Sequence, residues 1–303
     1  MSKILLNDGI DALAAEALIS SGFEIDTKHY DGDELLAKVA TVDALTVRSA
    51  TKVTKEVIDA AKNLKIIVRG GVGVDNIDVA YAESKGVAVR NTPAASSTSV
   101  AECAIGLMFA IARAIPAANS SMKAGEWDKK SFSKGIELEG KTLGIIGMGR
   151  IGTRVAEKAA SLGMNVIMGY DKFPEKVKVK GFQLHELDEV FQESDIISVH
   201  IPKSKDEPSL IGAKELAMMK SGVILINTAR GGVIDEDALL AALNSGHVYG
   251  AGIDVWVGEP KPRRDLVEHP RVVALPHVGA QTLEGQGRVG DEVAEILKEF
   301  FHK

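Results

Sequence analysis

The sequence predicts an α/β protein built from two doubly wound parallel sheets. Three observations carry this. Short apolar, β-branched runs alternate with helical patterns along most of the chain, Gly and Asn-Asp punctuation separates them, and 303 residues suffice for two domains of about 150 each. Strand–helix alternation implies parallel pairing, with helices covering both faces of each sheet.

A first series of strands is expected at Ile4-Leu5-Leu6, Phe23-Glu24-Ile25, Ala44-Leu45-Thr46-Val47, Lys65-Ile66-Ile67-Val68 and Val87-Ala88-Val89. Helical stretches lie between them. Asp11 to Ile19 places Leu13, Ala14, Ala17 and Leu18 on one face, and Lys55 to Leu64 repeats the pattern. A long apolar helix follows from Ser99 to Ala114, led by the capping cluster Ser96-Ser97-Thr98. The first domain boundary is placed near residue 97. A second series begins at Lys141, with strands at Thr142-Leu143-Gly144-Ile145-Ile146, Asn165-Val166-Ile167-Met168, Ile196-Ile197-Ser198-Val199, Val223-Ile224-Leu225-Ile226 and Val272-Val273-Ala274-Leu275. Helical patterns over 150–162, 213–219 and 235–244 separate them. The last helix, about 282–301, is polar and is expected to return to the first domain, so that the chain crosses twice. The domains are therefore 1–96 plus 283–303, and 97–282.

Lys and Arg number 36 against 42 Asp and Glu, a net charge of −6. Without a basic block, no nucleic-acid partner is expected. The longest apolar run, Cys103 to Ala112, is ten residues, and the N-terminus lacks a signal-peptide core. Neither membrane association nor export is expected, and a cytoplasmic location is. A single cysteine excludes an intrachain disulfide and a Cys-based metal site, and no HExxH spacing occurs, so no metal is expected. Cys103 itself lies in an apolar helix and is assigned to packing.

Gly147-Met148-Gly149-Arg150-Ile151-Gly152 fits G-x-G-x-x-G. Such matches are often mere turns, but here a buried-type strand precedes the run and a helix follows directly. Gly147 suits the tight turn, Gly149 the approach of a pyrophosphate and Gly152 close helix–strand packing; the helix N-terminus offers unpaired N–H groups to phosphate. Asp171, 19 residues past Gly152, ends the next strand where a ribose-binding acid belongs. A carboxylate there favours NAD and repels the 2′-phosphate of NADP, though Lys172 softens that exclusion.

With a nicotinamide cofactor, the substrate needs a proton acceptor, a group to fix that acceptor, and a cation for a carboxylate. His277, Glu259 and Arg230 supply these, each in a segment following a strand. Singly, each has a plainer reading: a solvated surface Arg, a structural His, a loop acid. His29, His185, His247, His269 and His302 receive no role.

The chain resembles the NAD-dependent D-2-hydroxyacid dehydrogenases, and most closely their phosphoglycerate branch. The resemblance rests on Val47–Thr54, Gly71–Asp78, Leu143–Gly152, His200-Ile201-Pro202, Asn227–Ile234 and Pro276–Ala280. It implies a Rossmann-type nucleotide domain inserted into a flavodoxin-like substrate domain. It implies that Arg230 binds the substrate carboxylate and reacting oxygen, that His277 takes the C2 hydroxyl proton, and that Glu259 orients the imidazole and pairs with its charge. Asp254 would position the nicotinamide carboxamide, with Thr228 and Ala229 on that half of the cofactor. His200, Ile201 and Pro202 would line the adenosine side, and Arg230, His277, Gly279 and Ala280 complete the cofactor set. Backbone N–H groups of Gly70, Gly71, Val72 and Gly73 would form an anion nest for the substrate carboxylate.

Arg48 and Arg69 end consecutive strands of the first domain, and two guanidiniums there suit a substrate with a second anionic group. The alternative for Arg48 is a local carboxylate pair. The expected reaction is hydride transfer from C2 of 3-phospho-D-glycerate to NAD, giving 3-phosphohydroxypyruvate for serine biosynthesis. A glyoxylate or hydroxypyruvate reductase is the alternative enzyme, and an NAD-sensing corepressor-like binding protein the alternative of another class. A homodimer is expected through the apolar 99–114 helix. Lys261-Pro262-Arg263-Arg264 is more basic than the family pattern, either as a solvated loop or as a bias toward anions. Since the chain stops at Lys303, serine feedback through a C-terminal module is not expected.

Overall fold

The computed structural model describes residues 1–164, 166–177, 182–203 and 207–301. Of the residues singled out above, Asn165, His302 and Lys303 lie outside them. The chain divides into two compact units, Met1–Ser97 with Ala280–Lys303, and Thr98–Gly279. Every sheet pairing in both is parallel.

In the first unit the chain runs β1 (Lys3–Leu6), α1 (Ala12–Ser20), β2 (Glu24–Asp26), α2 (Gly32–Val39), β3 (Ala44–Val47), α3 (Lys55–Ala60), β4 (Ile66–Arg69), α4 (Val79–Ser84) and β5 (Ala88–Asn91). The strand order is β2-β1-β3-β4-β5, the flavodoxin-like order. Strand periodicity sorts the core onto two faces: Ile4 and Leu6 pack on one side, Leu5 on the other. Helices α2, α3 and α4 cover the Leu5 face through Leu35, Val39, Val57, Ile58 and Ala82.

The second unit runs α5 (Ser97–Ala112), α6 (Ile115–Lys123), β6 (Thr142–Ile146), α7 (Arg150–Ser161), β7 (Val166–Tyr170), β8 (Gln183–Leu184), α8 (Leu187–Glu193), β9 (Ile196–Val199), α9 (Ala213–Met218), β10 (Val223–Asn227), α10 (Glu236–Ser245), β11 (Val248–Ile253), α11 (Arg264–Val267) and β12 (Val272–Ala274). Its seven strands lie in the order β12-β11-β10-β9-β6-β7-β8, which extends the Rossmann order by one strand. Helices α5 and α7 cover one face and α8, α9 and α10 the other. The chain then returns to the first unit as α12 (Leu283–Phe301), which packs beside α1 against Ile4 and Leu6 through Val289, Val293, Ala294 and Leu297. Gly290 allows that approach, since a Cβ there would lie 2.8 Å from that of Ala14.

Among the departures from the sequence expectation, three have a clear local cause. Leu13 is 73% exposed, and α1 buries only Ala14 and Leu18, so the apolar stripe is narrower than its composition implies. The long apolar helix stops at Ala112. Ala114 adopts a left-handed φ of 48°, and Pro116 opens the separate helix α6. Strand β11 lacks a β-branched run because Gly250 and Gly252 face α5, where a Cβ would lie 2.8 Å from Ile111 and Leu107 respectively. No single helix among the described residues is long and apolar enough to cross a membrane.

Candidate active site

The nucleotide end is built where β6 turns into α7. Gly147 has φ 100°, a conformation side chains avoid, and a Cβ there would lie 2.6 Å from the His200 carbonyl oxygen. A Cβ on Gly152 would overlap the Gly147 carbonyl, so helix and turn touch at that point. Gly149 is the opposite case, with nothing within 4 Å of its Cβ position. It is also the N-cap of α7, and no side chain caps the helix. The turn therefore combines two glycines that need closeness with one that borders open space and uncapped amides. That is the cradle a pyrophosphate requires, and these residues fit a dinucleotide.

Arg150 is exposed and Ile151 half-buried at the start of α7. Asp171 follows β7 and is tied to the same turn: its Oδ2 accepts from Met148 N at 3.0 Å, and its Oδ1 from Phe173 N at 2.9 Å. Each oxygen keeps a second lone pair for a ribose hydroxyl. We propose that Asp171 is the ribose ligand. Asp171→Ala is expected to weaken NAD binding and narrow the preference over NADP; titration of both cofactors measures this, and an unchanged preference would reject the assignment. His200 continues the ladder, donating its N–H to Ile146 O at 2.7 Å, while its ring Nε2 pairs with Ser198 Oγ at 2.8 Å. Burial pushes this imidazole down to about 3, so it is uncharged. Ile201 reaches the Gly147 turn, and Pro202 is exposed.

The groups expected to handle the substrate sit on loops after β10, β11 and β12, at the carboxyl ends of adjacent strands. Asn227 closes β10 and shapes the next turn: its Oδ1 accepts from Ala229 N and its Nδ2 donates to Arg230 O, both at 3.0 Å. Arg230 Nη1 donates back to Ala229 O at 2.7 Å. The hydroxyl of Thr228 is buried with no hydrogen-bond partner among the described residues, as expected of a group awaiting a polar ligand. A Cβ on Gly231 would overlap Trp256 O, so the Arg230 turn lies directly on the loop after β11.

That loop positions Glu259. Its Oε1 accepts from Trp256 N and its Oε2 lies 2.8 Å from His277 Nδ1, the first contact also being 2.8 Å. Burial pushes Glu259 up, but the bonds from His277 and Trp256 N, with the charges of His277 and Arg230, outweigh it and hold the carboxyl below its ordinary value. Glu259 is thus an anion fixed to one ring nitrogen, which leaves His277 Nε2 as the imidazole's outward group.

Asp254 is 1% exposed, and burial raises it, opposed by two backbone bonds. Its Oδ1 and Oδ2 accept from Val278 N at 2.8 Å and Gly279 N at 2.7 Å. The residue expected to face the nicotinamide is therefore engaged first in bracing the His277 loop. His277 has φ 57°, a left-handed conformation costing a residue with a Cβ about 1 kcal/mol, and the bonds on either side of it hold that geometry. Trp256 adds a brace that the sequence reading did not name: its indole N–H donates to Leu275 O at 2.8 Å. A large aromatic two residues after a buried strand-end Asp was the available signal. Ala280 belongs to the first unit, and its carbonyl accepts from Gln286 Nε2 at 2.9 Å.

In the first unit, Val47 pairs in register with Arg69, so Arg48 and Arg69 leave the same end of neighbouring strands. The Arg48 guanidinium donates through Nη2 to Gln281 at 3.3 Å, while its buried Nε has no acceptor among the described residues. No carboxylate among them pairs with it, and the nearby Asp8 carboxylate is spent on two backbone N–H groups and the Thr51 hydroxyl. Arg69 folds over Gly71, donating to Gly70 O at 3.2 Å, where a Cβ on Gly71 would collide with its guanidinium. The anion-nest expectation needs correction here. Gly70 N extends the ladder to Val47 O and Gly71 N turns back to Arg69 O, both at 2.9 Å, which leaves Val72 and Gly73 as the loop's candidate donors. The basic stretch is paired locally: Arg263 bridges Asp237 and Asp265, and Arg264 pairs with Glu268. Arg264 already belongs to α11, and both arginines spend their charge on neighbouring carboxylates. Among the described residues no cluster could hold a metal ion.

The family model "D-isomer specific 2-hydroxyacid dehydrogenase, NAD binding domain" matches residues 105–279. The chain is 48% identical over 302 residues to hydroxypyruvate reductase of Thermotoga maritima, covering 98% of each. It is 46% identical over 301 residues to D-3-phosphoglycerate dehydrogenase of Methanocaldococcus jannaschii, covering 98% of this chain and 57% of that one; it thus spans little more than half that relative's length. Among solved structures, D-lactate dehydrogenase from Aquifex aeolicus, complexed with NAD and lactic acid, superposes with a TM-score of 0.84 at 31% identity, covering 99% of this chain and 95% of that one. The cofactor is NAD.

Proposed function

The chain belongs to the D-isomer specific 2-hydroxyacid dehydrogenase family, and from that premise we propose that it oxidises 3-phospho-D-glycerate at C2 to 3-phosphohydroxypyruvate, a first step toward serine. The observation that carries the substrate assignment is Arg48, a half-buried guanidinium with an unsatisfied Nε and no carboxylate partner among the described residues. Burial lowers its affinity for the proton, yet Arg stays charged, so an anion that supplies acceptors gains a charge-assisted hydrogen bond.

NAD, when bound, accepts the hydride from C2. The chain's own residues do the rest. Arg230 holds the substrate carboxylate and the C2 oxygen. His277 takes the C2 hydroxyl proton at Nε2, because Nδ1 is committed to Glu259. Glu259, anionic and doubly hydrogen-bonded, keeps the ring in one orientation and balances the charge it gains. Arg48 takes the phosphate, with Arg69, whose register partner is Val47, at the same end of the neighbouring strand. The homodimer expected through the 99–114 helix has little free apolar surface there, since Leu107, Met108 and Ile111 are buried in the second unit's own core. Two copies are proposed to pair instead through the following stretch, where Ile115, Met122 and Trp127 are 52%, 55% and 81% exposed; a monomer in sedimentation at micromolar concentration would contradict that part.

Arg48→Ala tests the substrate assignment. It is expected to raise KM for 3-phosphohydroxypyruvate by roughly two orders of magnitude, the loss of a charge-assisted pair, and to alter KM for hydroxypyruvate far less. Equal effects on both substrates would favour the second reading, a hydroxypyruvate reductase, which the match along 98% of both chains supports.

A further inference from the structure

Arg48 stands one residue beyond β3, on a stretch that makes no further ladder, so something else must fix the direction of its side chain. The structure places an unusual acid there. Asp8, just after β1, has a side chain only 4% exposed. Its Oδ2 accepts from Arg48 N at 2.6 Å and from Thr51 N at 3.1 Å, and its Oδ1 accepts from the Thr51 hydroxyl at 2.5 Å. His29 Nδ1 lies 3.5 Å from Oδ1 and 2.8 Å from Asn7 O.

The turn is held from its other side as well. Asn76 Nδ2 donates to the carbonyls of Arg48 at 2.8 Å and Thr51 at 2.6 Å. Asn7 Nδ2 donates to the Thr51 hydroxyl at 2.7 Å, so that hydroxyl both receives and gives a bond. The amides of the 48–51 turn are thus gathered by Asp8 and its carbonyls by Asn76. A buried carboxylate next to an arginine would ordinarily bridge its guanidinium. This one takes two main-chain donors and the Thr51 hydroxyl instead, and acts on the guanidinium through space, so the guanidinium is aimed without a hydrogen-bonded ion pair.

We propose that Asp8 is a positioning residue for anion recognition, whose buried carboxylate pins the Arg48–Thr51 turn and thereby presents the Arg48 guanidinium to the substrate's second anionic group. This rests on the reading of Arg48 given above. Asp8 acts through Arg48 and Thr51, and the Thr51 hydroxyl on its Oδ1 is one of its anchors.

The readout is the ratio of KM for 3-phosphohydroxypyruvate to KM for hydroxypyruvate, with NADH as reductant. Asp8→Ala is expected to raise the ratio roughly tenfold, about the worth of one charge-assisted hydrogen bond. Thr51→Val should shift it in the same direction, and Thr51→Ser should restore the wild-type value. These two serve where Asp8→Ala fails to fold. In an Arg48→Ala background, Asp8→Ala or Thr51→Val should move the ratio no further, since the group they position is gone. Parallel rises in both KM values, or a further shift in that background, would overturn the proposal as mere loss of structure. A ratio that rises in Arg48→Ala but not in Asp8→Ala or Thr51→Val would overturn this proposal alone. A ratio unmoved in Arg48→Ala itself would overturn the phosphoglycerate reading and this one with it.

Discussion

Alanine in place of His277 is expected to lower kcat by roughly two to four orders of magnitude, the usual worth of a positioned acid–base group. The argument is geometric. Glu259 fixes Nδ1 at 2.8 Å, and Asp254 grips the two amides that follow His277. The imidazole is one of several groups expected on the cofactor, beside Thr228, Asp254 and the Gly147–Gly152 turn, so NAD affinity should fall far less than kcat. Steady-state kinetics with cofactor titration separates the two quantities. A fall in NAD affinity as large as the fall in kcat would mean that the residue shapes the nucleotide site and is not the proton acceptor. Glu259→Gln should fall in between, since it keeps a hydrogen bond to the ring and loses the charge.

Arg230→Ala is expected to reduce kcat/KM by roughly two to four orders of magnitude, because hydrogen bonds to charged groups contribute about 1.5–3 kcal/mol each and two are lost. Both KM and kcat should suffer, since one partner is the bound carboxylate and the other the oxygen where charge develops. Arg230→Lys should recover binding better than turnover, as a point charge replaces a planar fork. The local turn should survive either change. Asn227 shapes it through the backbone of Ala229 and Arg230, not through the guanidinium. Kinetic loss without a change in melting temperature is the expected pattern, and loss of KM alone would place Arg230 in binding only.

Much of this was legible in the sequence because the chemistry is carried by strand ends. Gly147, Gly149 and Gly152 declare themselves by spacing, and the structure gives each a different spatial reason. Arg230, Glu259 and His277 are recognisable because each follows a strand, and the parallel order β10, β11, β12 brings those ends together. What was not legible was the side of each bond on which a residue works. Asp254 is spoken for by two amides 24 and 25 residues later, which no local pattern encodes. Gly70 and Gly71 look like anion donors, but Gly70 belongs to the ladder and Gly71 makes room for Arg69. Leu13 sits on the correct helical face by periodicity yet lies outside the strip that α1 buries, whose width is set by its packing and not by its own composition. The break before α6 has its signal in Arg113, which ends the apolar run, and in Pro116, which opens the next helix.

The central claim is that this dehydrogenase works on a phosphorylated 2-hydroxy acid. It is tested most directly by the wild-type kcat/KM for NADH-dependent reduction of 3-phosphohydroxypyruvate, set against hydroxypyruvate and glyoxylate under the same conditions. The account predicts a preference for the phosphorylated substrate of roughly two orders of magnitude or more, the contribution of the Arg48 pair. Faster reduction of hydroxypyruvate or glyoxylate than of the phosphorylated acid would contradict it.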